Sequence, residues 1–245
     1  MRLDKVLAHM GFGSRKEVKE LIKKSKVTVN DDVMKNGKYS VNQYEDEIMV
    51  NHIPVDYRKY IYIMLNKPAG FLSATEDIKD QTVVELLEPE FQLFDPFPVG
   101  RLDKDTEGLL LLTNNGQLAH QLLSPKKEVE KTYYAKVRGR VTVDDINAFN
   151  NGVTLDDGYH TKPARLDILT RGPISEIELT ITEGKFHQVK RMFEAVDKEV
   201  IYLRRERMGE LYLDESLPLG DYRELTNKEL EYCLSLIPKE IRDNL

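Results

Sequence analysis

The sequence predicts an α+β protein in two parts: a small α-α-β module over residues 1–55, and a mixed, largely antiparallel β-sheet with flanking helices over residues 60–245. Three observations lead there. Two amphipathic helix patterns precede a few short strand patterns in the first 55 residues. From Tyr60 onward, short runs of strand type recur with helices interspersed between them, which is the signature of an α+β rather than an alternating α/β chain. No repeat of fixed period and no low-complexity tract is present.

Residues 2–10 read as a short helix with Leu3, Val6 and Leu7 on one side, broken by "GFGS". Ser14 caps a second helix, and Glu17 three residues later completes a capping box. In that helix Val18, Leu21 and Ile22 form one stripe; Lys16, Lys19, Lys23 and Lys26 fall on the opposite face. "KVTVN", "KYSV" and "DEIMVN" read as strands, and "HIPVDYRKY" as the linker out of the module. "YIYIMLNKP" is then a strand, "TVVELLE" a short helix and "FDPFPVGRLD" an extended segment marked by Pro and Gly. "GLLLLTN" is a continuous apolar run of strand length, the kind buried on both faces. "GQLAHQLLS" is a helix stopped by Pro125, "KTYYAKVRG" a strand, and "TVDDINAFNNG" a helix with a Thr142-x-x-Asp145 start and a Gly152 stop. "ARLDILTR" and "EIELTIT" are strands, "KFHQVKRMFEAV" a helix, "VIYLRRERM" a basic strand and "TNKELEYCLSLI" a closing helix.

Composition narrows the function. Of 245 residues, 40% are apolar and 32% charged, as in ordinary globular domains. No apolar run is long enough to span a membrane, and the start has no signal-like core, so a cytoplasmic protein is expected. The one cysteine, Cys233, offers neither a disulfide nor a thiolate cluster and reads as a small buried hydrophobe. The five histidines, His9, His52, His120, His160 and His187, show no zinc spacing, so no metal is expected. The net charge of −6 is unevenly spread. Residues 2–26 carry eight bases (Arg2, Lys5, Arg15, Lys16, Lys19, Lys23, Lys24, Lys26) against three acids (Asp4, Glu17, Glu20), whereas the acids gather near the far end. Local patches, not the net charge, decide which polyanions a protein binds.

The tetrapeptide RLDK occurs twice, at residues 2–5 and 101–104. In the first copy Asp4 lies in the opening turn of a helix, where a solvated charge favoured by the helix dipole is expected. In the second, Asp103 lies between an extended segment and a buried strand, amid Arg101, Lys104, Asp105 and Glu107. A carboxylate there is held by the sheet yet open to a ligand. The positive charge of Arg101 and Lys104 favours the ionised form that a nucleophile needs. The residues alone leave a structural charged turn and a catalytic loop both open.

"GRLDKDTEGLLLLTNNG" resembles the signature of RNA pseudouridine synthases of the small-subunit ribosomal RNA type. "YIMLNKPAGFLSATED", "EKTYYAKVRG" and "ITEGKFHQVKRMFEAVDKEVIYLRRERMG" resemble three further motifs of that family, in the same order and spacing. Residues 1–55 resemble the S4-like RNA-binding domain that precedes catalysis in it. The resemblance covers nearly the whole chain. It implies that Asp103 is the essential aspartate and that Arg101 helps to displace the target base. It implies further that Tyr133 stacks under the uracil, that Lys190 pairs with the aspartate, and that Leu203 packs in the pocket. Arg191, next to Lys190, competes for the basic role. Lys185 stands where many relatives carry Arg beside "EG". Arg205 and Arg207, with Arg204, are expected to extend the basic surface beside the pocket, while Arg15, Lys16, Lys19, Lys23 and Lys26 are expected on RNA phosphates. His120 and His187 read as structural or RNA-facing.

The implied reaction turns a uridine of 16S ribosomal RNA (uridine 516 in the resembled family) into pseudouridine, with an Asp nucleophile and a flipped base. Attack on the base and attack on the sugar both remain open. Nothing is oxidised or consumed, so no cofactor is expected. The implied partner is small-subunit RNA or an assembling small subunit, without membrane contact, and the protein is expected to be a monomer. Two rival readings are a pseudouridine synthase acting on 23S ribosomal RNA and a non-catalytic RNA-binding assembly factor. The lack of a long basic or Gly-rich tail leans against the 23S reading.

Overall fold

Residues 1–242 are described by the computed structural model, and they fall into two units. One comprises Met1–Ile61 together with Glu88–Pro96; the other comprises Tyr62–Leu87 and the chain from Phe97 onward.

The first unit holds α1 (Leu3–His9), α2 (Arg15–Lys23) and a four-stranded antiparallel sheet of order β2-β1-β3-β4, made from β1 (Val27–Val29), β2 (Asp32–Val33), β3 (Ile48–Val50) and β4 (Ile53–Pro54). The Ser14–Glu17 capping box starts α2 as the spacing predicts. Leu3, Val6 and Leu7 of α1 meet Val18 and Ile22 of α2 and the strand residues Val27, Val29, Ile48 and Val50 in one buried core. The short α3 (Pro89–Gln92) also belongs here, and the Phe94 ring after it packs edge-on against His9 at 5.4 Å. Three expectations are corrected. "HIPVDYRKY" is not all linker, because Ile53 and Pro54 pair with Val50 and Met49 as an edge strand. "KYSV" forms no strand, because Tyr39 closes a turn onto Asn36; only Ser40 bridges to Arg2. Asp4 is not a solvated charge. It is 3% exposed and held by Arg2, whose Nε donates to its Oδ1 at 3.0 Å.

The second unit is a nine-stranded mixed sheet of order β13-β5-β7-β11-β8-β10-β9. Its strands are β5 (Tyr62–Lys67), β6 (Phe97–Pro98), β7 (Glu107–Thr113), β8 (Lys131–Arg138), β9 (Arg165–Thr170), β10 (Ile174–Ile181), β11 (Glu199–Met208), β12 (Leu211–Tyr212) and β13 (Tyr222–Glu224), with β6 and β12 pairing off β7 and β11. Only the β7–β11 pair is parallel; the other pairs are antiparallel. The helices are α4 (Gly116–Leu123), α5 (Val143–Asn151), α6 (Gln188–Glu194), α7 (Asn227–Ser235) and α8 (Lys239–Arg242). Leu109, Leu110, Leu111 and Leu112 are all fully buried, so β7 is covered on both faces as a continuous apolar run demands. Burial of each contributes about 1.5–3 kcal/mol. Leu109 and Leu111 pack with Leu118, Leu122 and Cys233. On another part of the sheet, Phe149 of α5 meets Phe193 of α6 ring to ring at 5.0 Å. "TVVELLE" is a 3₁₀ turn over Val83–Leu86 rather than an α-helix. β12, β13, α3 and α8 carry no sequence signal strong enough to have been predicted.

Candidate active site

Asp103 sits on the loop that leads from β6 into β7. The loop is fixed from three sides. The Ser73 hydroxyl donates to Leu102 O at 2.9 Å and accepts from Leu102 N–H at 3.1 Å. Thr106 N–H closes a turn onto Asp103 O at 3.0 Å. Beneath the turn the Lys67 ammonium, with no exposed surface, donates to Thr106 O and Pro68 O, both at 2.9 Å, and to Lys104 O at 3.3 Å. Burial pushes its pKa down to about 8 despite the nearby carboxylates of Asp105, Glu107 and Asp103. Gly108 then lets β7 approach β11. Its φ is +99°, and a β-carbon there would stand 2.3 Å from Arg205 O.

The Asp103 carboxylate, one quarter exposed, meets two side chains from the β10–α6 segment. Lys190 Nζ lies 3.2 Å from its Oδ2, and His187 Nε2 lies 3.5 Å from its Oδ1. Lys190 also donates to Asp105 Oδ1 at 2.6 Å. Burial works against this ammonium, but the two carboxylates outweigh it and raise its pKa. Asp105 is depressed in turn: burial opposes its charge, and the Lys190 hydrogen bond prevails.

Asp103, Arg101, Tyr133 and Leu203 line one recess of about 70 Å³, with Thr106, Ile181, Val189 and His187 completing its wall. Tyr133 of β8 is 8% exposed and Leu203 of β11 is 5% exposed, so this side is ringed by an aromatic and an aliphatic surface. A larger cavity of about 730 Å³ adjoins through Arg101, Asp103, Lys185 and His187, and also takes in Lys104, Lys131, Lys162 and Phe186. An ammonium-paired carboxylate beside an aromatic ring, with a wide cationic antechamber, suits nucleophilic chemistry on a flat, neutral ring carried by a polyanion.

The sequence-predicted residues divide. Asp103, Lys190, Tyr133, Leu203, Arg101 and Lys185 come together; Lys185 lies over the Tyr159 ring at 4.5 Å. Arg191 does not reach Asp103. Its guanidinium turns to Asp156 and Asp157 and donates to Phe186 O at 3.3 Å. Arg205 supplies no surface: it is 2% exposed, its Nε donates to Leu109 O, and its second terminal nitrogen has no partner among the described residues. Arg207 pairs with Glu130 and donates to Gly209 O. In the first unit Arg15, Lys16, Lys19 and Lys23 are exposed on α2, beside a groove lined by Phe12, Leu21 and Lys24; Lys26, also exposed, lies past the helix end. Three residues were missed, and His187 was read only as structural or RNA-facing. Lys67 and Lys131 read as strand lysines, yet both are buried and depressed to about 8, chiefly by burial. His187 and Phe186 were hidden in a predicted helix that begins only at Gln188, because His187 takes a left-handed backbone with φ +47°. Among the described residues no group of three or more His, Cys, Asp or Glu is arranged to hold a metal ion, and no helix is long and apolar enough to cross a membrane.

The sequence profile described as RNA pseudouridylate synthase matches residues 61–195, and the S4 domain profile matches residues 1–48. An uncharacterized RNA pseudouridine synthase of Bacillus subtilis is 54% identical over 94% of this chain and 97% of its own. Ribosomal large subunit pseudouridine synthase B of the same organism is 43% identical over 96% of each chain. Ribosomal small subunit pseudouridine synthase A of Vibrio cholerae is 41% identical over 94% of this chain and 98% of its own. A crystal structure of a pseudouridylate synthase superposes with a TM-score of 0.67 at 37% identity, covering 95% of this chain and 99% of that one.

Proposed function

The chain belongs to the RNA pseudouridylate synthase family, an isomerase family, and we propose that it converts one uridine of 16S ribosomal RNA to pseudouridine with Asp103 as nucleophile. The observation that carries this reading is the meeting of Asp103 with Lys190 at 3.2 Å, on a recess that Tyr133 also lines. In the reaction the N1–C1′ bond of uridine breaks, the uracil turns, and carbon 5 bonds to C1′. The proton that leaves carbon 5 is balanced by one gained at N1, so substrate and product have the same atoms. Lys190 aims the carboxylate and offsets its charge. Tyr133 offers a ring face to the uracil. A base stacked in a helix cannot bring its ring into a recess of the protein, so the uridine is flipped out of its helix or loop. Flipping costs a few kcal/mol, least in a loop or bulge. Arg101, which is exposed and lines the cavity, fills the gap that the base leaves.

Residues 1–55 serve as the S4-like RNA grip and residues 60–245 as the catalytic part. The lysines of α2 track phosphates, which gives affinity but little sequence choice. Relatives named for the large and for the small subunit are similar to nearly the whole chain alike, at 43% and 41% identity, so the small-subunit target rests on the motif resemblance rather than on these identities. The enzyme acts as a cytoplasmic monomer on that RNA or on an assembling subunit.

Mapping pseudouridine in ribosomal RNA from cells lacking the protein tests the proposal: one 16S site should disappear. The purified enzyme should restore that site in RNA from those cells, and Asp103→Asn should reduce turnover to background with RNA affinity kept. A full complement of pseudouridines in the deleted strain would refute the reading.

A further inference from the structure

Phe186 is 75% exposed, second only to Ile78 among the large apolar side chains of the described residues. It is not a loose surface residue. One face of its ring covers the His187 imidazole, with centroids 3.7 Å apart and planes 17° from parallel. His187 itself stands 3.5 Å from the Asp103 carboxylate. The backbone is held as firmly. His187 sits at φ +47°, a conformation that residues with a β-carbon adopt only when their surroundings impose it. Phe186 O accepts from Arg191, which is in turn fixed by Asp156 and Asp157. An aromatic ring is thus presented at the cleft with one face backed and the other free.

The surroundings specify the occupant. Phe186 lines the same cavity as Arg101, Lys104, Lys131, Lys162 and Lys185, against the lining acids Asp103 and Glu183, with Lys104 and Lys162 also paired to Asp80 and Glu128 at its edge. An open aromatic face in a cationic cleft is how proteins hold an unstacked base of a polyanion. The target uracil cannot use this face and Tyr133 at once, since Tyr133 lines the small recess and Phe186 does not. A base that flips out leaves its neighbours without a stacking partner, and such a neighbour is the group a free ring would take.

We propose that Phe186, backed by His187, is a stacking platform for a nucleobase adjacent to the target uridine in the RNA substrate. This rests on the reading of the cleft as the uridine site. The ring face replaces the stacking that the neighbour loses on flipping, so it lowers the cost of extrusion and adds a preference for RNA whose neighbour can be splayed.

The test uses the full chain and the 16S fragment that it modifies, made with an abasic residue, or with 2-aminopurine, directly 5′ or directly 3′ of the target. Phe186→Leu should weaken RNA binding by about 5- to 100-fold, while Phe186→Tyr should hold affinity within about twofold. In one of the two abasic RNAs the intact enzyme should bind as weakly as Phe186→Leu, and the Leu variant should lose nothing further there. 2-Aminopurine at that same position should change fluorescence on binding to the intact protein and not on binding to Phe186→Leu. The abasic comparison is read on the intact enzyme, so it stands whatever a variant does to folding. If Phe186→Leu binds as the parent does, or carries the same penalty on both abasic RNAs, the platform is excluded and the uridine site survives. If the intact enzyme forms no pseudouridine in 16S fragments, the underlying reading fails first and takes the platform with it.

Discussion

Lys67 carries its ammonium without exposed surface, satisfied by three main-chain oxygens of the Asp103 loop and its surroundings. Replacing it with Met would take this donor from Thr106 O and Pro68 O, while Lys104 O would keep the Gly70 N–H at 2.7 Å. Lys67→Met should therefore cost about 2–4 kcal/mol in denaturant unfolding and loosen the loop, lowering kcat. Its depressed pKa has a pH consequence with a definite sign. Between about pH 8 and 10.5 the unfolded chain keeps this proton while the folded chain has released it, so stability rises with pH across that window. Cys233, pushed up by burial from 9.0 to about 12, acts in the opposite sense above pH 9. The difference between wild type and Lys67→Met isolates the lysine, and that difference should become more destabilising for the variant as pH climbs from 8 to 10.5. At the other end of the loop, Lys190→Met should lower kcat by about 100-fold, on the scale of losing one preorganised electrostatic partner. Lys190→Arg should recover part of it, and Arg191→Met should not reproduce the loss. A shared defect in rate assays would reverse the assignment of the two. The sequence did not choose between these neighbours because the choice depends on how α6 is rotated. The helix starts after the left-handed His187, which no local pattern announces.

At the level of elements, what is local was legible. The Ser14–Glu17 and Thr142–Asp145 capping boxes start α2 and α5 where their spacing says, because a cap is decided within four residues. The burial of β7 on both faces followed from its unbroken run of leucines. Partners distant in the chain were not legible. The burial of Asp4 depends on the 36–40 turn, where Gly37 O accepts from Asp4 N–H at 3.0 Å and a β-carbon at Gly37 would stand 3.1 Å from Asp4 Cβ. Arg205 reads as a surface base until β7 is laid beside β11. Gly108→Ala would press a β-carbon onto Arg205 O at a φ closed to alanine, and should destabilise the protein by more than about 2 kcal/mol; equal midpoints in urea would show that the strands can part there at little cost. Near the sheet edge, Arg223 of β13 grips Asp214 and Glu229; both carboxyl groups are held down at about 2, Asp214 chiefly by the Ser216 hydroxyl and then by Arg223, Glu229 chiefly by Arg223. Both are depressed below their unfolded values, so the stability they provide is present above about pH 4.5 and is lost as pH falls toward 2. Arg223→Met should flatten that acid limb of the stability curve.

Across the whole molecule, an acidic chain carries its positive charge where an RNA would be handled: along α2 in one unit and around the cavity of the other. Replacing Lys16, Lys19, Lys23 and Lys26 with Gln should weaken RNA binding and reduce the slope of log affinity against log salt by about 0.7 to 0.9 for each lysine that rests on a phosphate. A slope equal to that of the parent would place the RNA elsewhere on the protein. The one parallel pair in the large sheet joins Glu107 and Gly108 to Arg204 and Arg205, almost a hundred positions further along the chain. The Asp103 loop ends on that seam, and Lys190, its ion-pair partner, arrives on α6 just before β11. Synthesis is vectorial, and segments so far apart must wait for each other. While the protein is still being translated, its amino-terminal unit can take shape and β7 can pair with β5, but Asp103 lacks the Lys190 ammonium until α6 has been made, and β7 lacks its second neighbour until β11 has cleared the exit tunnel. A growing polypeptide thus displays its grip on RNA before it owns any capacity to alter it, and the ribosome making the enzyme is spared a half-built catalyst.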